Sequence, residues 1–214
     1  MYRINDIFYS IQGEGYLTGC SALFVRFAGC NLRCPFCDTD HETFHEWDAD
    51  YIVTELLAHC VDHGVLHHPP MVVLTGGEPT LQVDAALVDM LHAEGFSIVA
   101  MESNGLLPAP ANIDWLTVSP KAGMPPRRKP KRLPDEIKIV FEEDTDPEKI
   151  LSEHLAAFSP KLKNKVNDIL LYVQPCDTGN PLRNKIVTDL CVDYVKRHSN
   201  WRLSLQTHKL IGID

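Results

Sequence analysis

A chain of 214 residues can bury most of the apolar surface of one core, which excludes a peptide-like module and leaves one domain or at most two. Hydrophobic residues at 44% and charged residues at 23% are ordinary globular proportions and exclude a disordered, collagenous or coiled-coil chain. Lysine and arginine number 20 against 29 aspartates and glutamates, and the net charge of -9 argues against a domain that works by coating phosphate backbones.

Residues 1–10 hold Arg3 and Asp6 and lack the apolar run and small-residue cleavage site of a signal peptide, so the cytoplasm is the expected location. Apolar runs such as 71–74 are far shorter than the roughly eighteen residues of a membrane-spanning helix, and no membrane partner is expected. Short runs rich in branched residues predict strands over 22–27, 72–75, 97–102, 115–118, 136–140, 169–173 and 202–205. Helical periodicity fills the intervals between them. Ile52, Leu56, Leu57 and Cys60 share one helical face that Gly64 ends, and 81–94 reads likewise up to Gly95. Two further helices are predicted over 147–158 and 182–198.

Strands alternating with helices predict an α/β chain. A complete eight-fold barrel takes about 250 residues, and the first 47 here read as one strand and motif-rich loops. An incomplete, TIM-like barrel with reduced helix content is therefore expected, as a single domain over 1–214. In such a barrel chemistry gathers at the carboxyl ends of the parallel strands. The proline-rich stretch 121–134 carries Lys121, Arg127, Arg128, Lys129, Lys131 and Arg132 and reads as an exposed loop.

Seven cysteines cannot all pair within one chain, and three of them fall within eight residues. That crowding predicts reduced thiols holding a metal, not a disulfide framework. In Gly29-Cys30-Asn31-Leu32-Arg33-Cys34-Pro35-Phe36-Cys37-Asp38-Thr39 the three thiols can converge on one centre. Thiolates are soft ligands that suit an iron–sulfur cluster or zinc. With His41 or His45 the same thiols would close a tetrahedral zinc site. On a four-iron cluster they would leave one iron open to chelate a small molecule. Cys60 and Cys191 lie on apolar helical faces and read as core; Cys20 and Cys176 are not assigned by the pattern.

The spacing Cys30-x3-Cys34-x2-Cys37 resembles the signature of the radical S-adenosylmethionine (SAM) superfamily. Thr75-Gly76-Gly77-Glu78-Pro79, directly after an apolar run, resembles its second motif. The resemblance narrows to the 7-carboxy-7-deazaguanine synthase family through Ser10-Ile11-Gln12-Gly13-Glu14-Gly15, Phe24-Val25-Arg26-Phe27-Ala28-Gly29-Cys30 and Cys37-Asp38-Thr39. Glu102-Ser103-Asn104-Gly105, Ser119-Pro120-Lys121, Gln174-Pro175-Cys176-Asp177 and the final Gln206-Thr207-His208-Lys209-Leu210-Ile211-Gly212-Ile213-Asp214 agree with it.

What the resemblance implies is specific. Cys30, Cys34 and Cys37 would bind a four-iron, four-sulfur cluster whose open iron holds SAM, and reductive cleavage would give a 5'-deoxyadenosyl radical. That radical would take a hydrogen atom from 6-carboxy-5,6,7,8-tetrahydropterin, which contracts its ring and loses ammonia to give 7-carboxy-7-deazaguanine, on the route to queuosine. The difficult chemistry belongs to the cofactor, so no protein side chain is assigned as catalytic. Substrate contacts implied are Ile11, Gln12, Gly13, Glu14, Arg26, Thr75, Glu102, His208 and the terminal carboxylate of Asp214. SAM contacts implied are Phe36, Cys37, Asp38, Gly77, Ser119, Pro120, Lys121, Gln174, Pro175, Cys176 and Asp177. Thr39 would ligate magnesium, a hard cation suited to oxygen donors. A homodimer and a reductant such as flavodoxin are implied as well, and nucleic acid is not expected. Two other readings stay open at this stage. One is an activase of glycyl-radical enzymes; the other is a zinc-stabilised module binding nucleic acid through 127–132.

Overall fold

A computed structural model describes residues 1–37 and 39–213. Strands form at β1 (Tyr2–Ile11), β2 (Ser21–Phe27), β3 (His45–Trp47), β4 (Met71–Gly76), β5 (Val99–Ser103), β6 (Trp115–Val118), β7 (Glu136–Phe141), β8 (Leu170–Pro175) and β9 (Trp201–Leu203). They join one sheet in the order β3-β1-β2-β4-β5-β6-β7-β8-β9. Every neighbouring pair from β2 to β9 is parallel, whereas β1 runs antiparallel to both β2 and β3. Among the described residues β3 and β9 do not pair, so the sheet stays open as the barrel cut short by chain length was expected to be.

The helices are α1 (Ala49–Asp62), α2 (Ala85–Ala93), α3 (Pro147–Ala156), α4 (Pro160–Lys163), α5 (Pro181–Arg197) and α6 (Thr207–Ile211). Side-chain caps set where the longer ones begin. Asp48, Asp84, Asp146 and Asn180 accept the otherwise unpaired N–H groups of the first turns of α1, α2, α3 and α5. The Asp84 cap explains why the predicted helix over 81–94 starts only at Ala85. Its first residues instead end a 3₁₀ turn, Pro79–Leu81, capped by Glu78.

The first 47 residues hold three strands, not the single one expected. In β1 the buried positions are Tyr2, Ile4 and Ile7, because a register shift between Ile4 and Asp6 interrupts the alternation. A bulge of this kind breaks the two-residue period by which strands are recognised. β3 is a three-residue edge strand with little apolar content.

One face of the sheet meets the helices. Ile52, Leu56 and Cys60 of α1 join Leu23, Val25 and Phe27 of β2 and Val72 and Leu74 of β4 in one buried cluster. Ile137 and Ile139 of β7 pack with Val187 and Cys191 of α5 and with Trp201 in a second. Cys60 and Cys191 are thus core residues, and burial pushes the Cys191 thiol up to about 12. The opposite, concave face carries only a small apolar plug of Ala22, Phe24, Met71, Val73 and Ala100, with Phe8 and Trp115 against it. Towards the carboxyl ends of the strands that face turns largely polar.

Candidate active site

Alternation along parallel strands puts every second residue on the concave face. Near the carboxyl ends these residues are Arg26 of β2, Thr75 of β4, Glu102 of β5, Thr117 of β6, Lys138 of β7 and Gln174 of β8. Register sets them side by side: Arg26 opposite Thr75, Glu102 opposite Thr117, Thr117 opposite Glu136. Two concavities open above this row. One, of about 260 Å³, is lined by Cys30, Cys34, Phe36, Cys37, Gly77, Ser119, Lys121, Gln174, Pro175, Cys176 and Asp177 among others. The other, of about 510 Å³, is lined by Ile11, Gln12, Gly13, Arg26 and His208 with neighbours. Glu14, Thr39, Thr75, Gly76, Glu102 and Gln206 belong to both walls. The two spaces are therefore adjacent, and ligands filling them would touch across that shared boundary.

A hydrogen-bond network fixes the boundary. Thr75 Oγ1 donates to Glu102 Oε2 at 2.9 Å and Gln12 Nε2 donates to Glu102 Oε1 at 3.1 Å. The Gln12 side-chain oxygen in turn accepts the Glu14 N–H at 3.1 Å. Gln206 Nε2 donates to Glu14 Oε1 at 2.9 Å, and the Lys138 ammonium donates to Glu14 Oε2. Burial works against ionising Glu14, but Lys138, Gln206 and His208 outweigh it and hold the carboxyl down to about 2. Burial likewise opposes a charged Lys138; Glu14, Glu102 and Glu136 overcome it and raise the ammonium above the ordinary lysine range. Glu136 differs from Glu14. Burial raises its carboxyl despite the bonds it accepts from the Tyr16 N–H at 2.8 Å and Thr117 Oγ1 at 3.0 Å.

The cysteine loop leaves β2 and packs on the glycine pair that ends β4. Gly76 has φ of 116°, and a β-carbon there would collide with the Phe27 backbone. A β-carbon on Gly77 would collide with the Gly29 carbonyl. Only glycine lets the two loops approach this closely. Glu78, fully buried, then ties the β4 and β5 ends together, accepting from Thr80, from Ser103 Oγ at 2.8 Å and from the Asn104 N–H at 2.8 Å. Asn104 Nδ2 donates to Asn31 Oδ1 at 2.7 Å, which anchors the residue following Cys30, while Asn31 Nδ2 is buried without a partner among the described residues.

Three thiols on one wall, beside a glycine cradle and an orphaned amide donor, are a donor set that fits an iron–sulfur cluster. Burial pushes the Cys30 thiol above its ordinary range, and metal coordination is what makes such a thiol ionise. Among the described residues no three His, Cys, Asp or Glu side chains are drawn together in ligand geometry, so the thiols share a wall without being closed on a centre. Neither histidine of the zinc reading lines the concavity. His45 stacks on Trp47 along the edge strand at 6.1 Å, and the His41 carbonyl accepts the Gly29 N–H at 2.7 Å.

Most residues singled out in the sequence meet at these two spaces. Pro120 is buried and lines neither, and Asp38 and Asp214 lie outside the described residues. The basic stretch 121–134 is not uniformly exposed. Lys121 turns into the site, donating to Ser119 Oγ at 2.8 Å and standing 5.4 Å from the Phe36 ring centroid. Burial lowers its ammonium below the ordinary lysine range. Arg132 is held by Asp135 and the Ile113 carbonyl, which leaves Arg127, Arg128, Lys129 and Lys131 to solvent.

Sequence reasoning missed Thr117 and Lys138, and it met Gln206 in the terminal motif without giving it a role. For Lys138 a trace existed: Glu136-Ile137-Lys138-Ile139 alternates charged and branched residues, the pattern of a strand with one ionic face. The carboxyl-terminal segment is sewn to the loop after β1. Thr207 donates to the Gly13 carbonyl through its N–H at 3.0 Å and its hydroxyl at 2.8 Å. Lys209 Nζ reaches Asp177 Oδ2 at 2.8 Å.

Comparison with known proteins agrees with this geometry. The model of the radical SAM superfamily matches residues 24–142, more than half of the chain. The 7-carboxy-7-deazaguanine synthase of Bacteroides thetaiotaomicron is 44% identical over 216 residues, covering 100% of this chain and 99% of that protein. That of Burkholderia multivorans is 41% identical, covering 99% of each. The crystal structure of QueE from Escherichia coli superposes with a TM-score of 0.69 at 28% identity, covering 95% of this chain and 93% of that one. With its cysteine loop, glycine cradle and full-length likeness to these relatives, the chain belongs to the radical SAM superfamily and, within it, to the 7-carboxy-7-deazaguanine synthase family.

Proposed function

We propose that this chain is a 7-carboxy-7-deazaguanine synthase, converting 6-carboxy-5,6,7,8-tetrahydropterin to 7-carboxy-7-deazaguanine with loss of ammonia, in queuosine biosynthesis. The observation that carries the reading is the pair of adjoining concavities. The thiols line one, polar residues suited to a pterin line the other, and Glu14, Thr75 and Glu102 belong to both.

Cys30, Cys34 and Cys37 would hold the four-iron, four-sulfur cluster, and Phe36, Gly77, Ser119, Lys121 and the segment from Gln174 to Asp177 would hold SAM. When bound, these groups supply the radical that removes a hydrogen atom from the substrate. The chain itself binds and orients. Glu14, kept ionised beside Lys138, and the Glu102 carboxyl oxygens accept ring N–H bonds of a pterin, and Arg26 pairs with its exocyclic carboxylate. Arg26 also stands 5.0 Å from the Phe8 ring centroid, which braces the guanidinium beneath the larger space. His208 and the 206–213 segment cover that space from the side of the loop after β1.

Several finer features belong to the same reading. Thr39, on the boundary of both spaces, is taken as a magnesium contact beside the substrate carboxylate. The chain is taken as one domain acting as a homodimer, reduced by a flavodoxin-type donor and resident in the cytoplasm. Among the described residues no helix is long and apolar enough to cross a membrane.

Anaerobic incubation of the reconstituted protein with the tetrahydropterin, SAM and a reductant, followed by mass detection of product, tests the function directly. Formation of 7-carboxy-7-deazaguanine with one ammonia per turnover is expected. SAM cleavage with no pterin conversion would refute it.

A further inference from the structure

We infer that Lys138 is a positioning residue for substrate binding, its ammonium holding Glu14, beside Glu102, as a charged acceptor aimed into the substrate space. The inference rests on the proposed function and names a determinant of affinity at that same site.

Lys138 lies on β7, 5% exposed, and lines the smaller concavity. Its ammonium donates to Glu14 Oε2 and stands 4.0 Å from Glu102 Oε1. These carboxylates come from opposite sides of the site, one from the loop after β1 and one from β5. Each already spends one bond per oxygen on a protein partner: Gln206 and Lys138 for Glu14, Gln12 and Thr75 for Glu102. A carboxylate oxygen has two lone pairs, so each keeps acceptor capacity for a ligand, and only the ionised group is an acceptor at both oxygens with no proton of its own to present.

The surrounding charges show why the ammonium decides this. Glu14, Glu102 and Glu136 place three carboxyl groups in one poorly solvated wall. Facing them are Lys138 from β7, Lys121 from the segment after β6, Arg26 from β2 and His208 from α6, while Lys209 of α6, paired with Asp177, and Asp6 of β1 also line the larger space. Of Lys138, Lys121, Arg26 and His208, only Lys138 has an ion pair to Glu14 or Glu102 among the described residues. Glu136, bonded to the Tyr16 N–H and the Thr117 hydroxyl, is occupied as a local tie. Without Lys138, burial would push Glu14 towards its neutral form, which presents a proton where the substrate needs an acceptor.

The test compares pH profiles. Substrate KM, and substrate affinity by calorimetry on the cluster- and SAM-loaded protein, are measured from about pH 5.5 to about pH 8 for wild type, Lys138→Arg and Lys138→Met. Wild type and Lys138→Arg should share one profile, since both keep the cation. Lys138→Met should add an acid limb, affinity falling about tenfold per pH unit below the new Glu14 pKa. Lys138→Met with Glu14→Gln should lose the part of that limb that Glu14 contributes, the titrating carboxyl having been replaced by an amide. Should Lys138→Met not fold, Lys138→Gln removes the charge and keeps a donor, and carries the same comparison. A charge-removing variant whose affinity profile parallels wild type overturns the inference, even if its kcat or Tm falls. Failure of the wild type to form product would instead defeat the proposed function, and the calorimetric comparison separates the two because it needs binding and no turnover.

Discussion

The hydroxyl of Thr75 on β4 donates to Glu102 Oε2 on β5 at 2.9 Å, so neighbouring strand ends share one acceptor at the boundary of both concavities. A hydrogen bond to a charged group is worth about 1.5–3 kcal/mol. Thr75→Val, which keeps the shape and deletes the donor, should raise substrate KM roughly 10- to 100-fold. Thr75→Ser should stay near wild type. Equal KM values for Val and Ser would remove Glu102 orientation from the account.

The glycine at position 13 is required by the segment that closes over it. A β-carbon there would collide with the His208 ring, and the Gly13 carbonyl accepts both Thr207 bonds. Gly13→Ala should displace the 206–213 segment and weaken substrate binding roughly 5- to 150-fold, on the scale of the ~1–3 kcal/mol that overpacking costs. SAM binding to the neighbouring space should change less. Calorimetry with each ligand reads the difference.

The cysteines divide by environment. Cys30, Cys34 and Cys37 line the smaller concavity, Cys176 is buried in the same wall, and Cys20 is exposed away from it. Anaerobic reconstitution of Cys34→Ala should yield a protein without a four-iron cluster or its charge-transfer band. Cys176→Ser and Cys20→Ser should reconstitute normally, with SAM affinity lowered only in the former. Loss of the cluster in Cys176→Ser would show that its thiol is a ligand.

Thr39 offers a hydroxyl on the boundary wall. Thr39→Ala should weaken the magnesium dependence of substrate affinity while leaving iron content unchanged. A magnesium titration of substrate KM that is identical in the two proteins would refute the assignment.

His154 of α3 is 3% exposed, its Nδ1 has no partner among the described residues, and burial holds its pKa at about 4, below the ordinary 6.5. The unfolded chain therefore binds a proton near pH 6.5 that the folded chain refuses until about pH 4. The stability contributed by this neutral histidine is full above pH 6.5 and is lost as pH falls towards 4. At about pH 5 the loss amounts to ~2 kcal/mol. Because a β-carbon on Gly105 would collide with the His154 ring, the loop after β5 shares in that loss. Acid denaturation followed by circular dichroism should show a shallower decline between pH 7 and 5 in His154→Leu than in wild type.

Elements with an uninterrupted period were legible in the sequence. β2, β4, β6, β7 and β8 lie within a residue or two of their predicted positions because branched residues fill them. The long helices α1 and α5 were legible because an apolar stripe and a terminal cap or glycine coincide. β1 was hidden by its bulge, and β3 by its three-residue length and polar edge. The thiols and the glycine pair were legible as well, since their chemistry depends on spacing within one loop.

The roles of Lys138, Thr117 and Gln206 were not legible, because each owes its place to a partner remote in the chain: Glu14 for Lys138 and Gln206, Glu136 for Thr117. By itself the sequence determined an α/β chain, a reduced thiol centre on one short loop, and the family whose spacing that loop shares. Only the tertiary structure decided which charges neutralise one another on the concave face. Parallel register sets Arg26 beside Thr75 and Glu102 beside Thr117, and burial then makes the Lys138 ammonium, four strand ends away from the cysteine loop's own strand, the counter-ion of a carboxylate from the loop after β1.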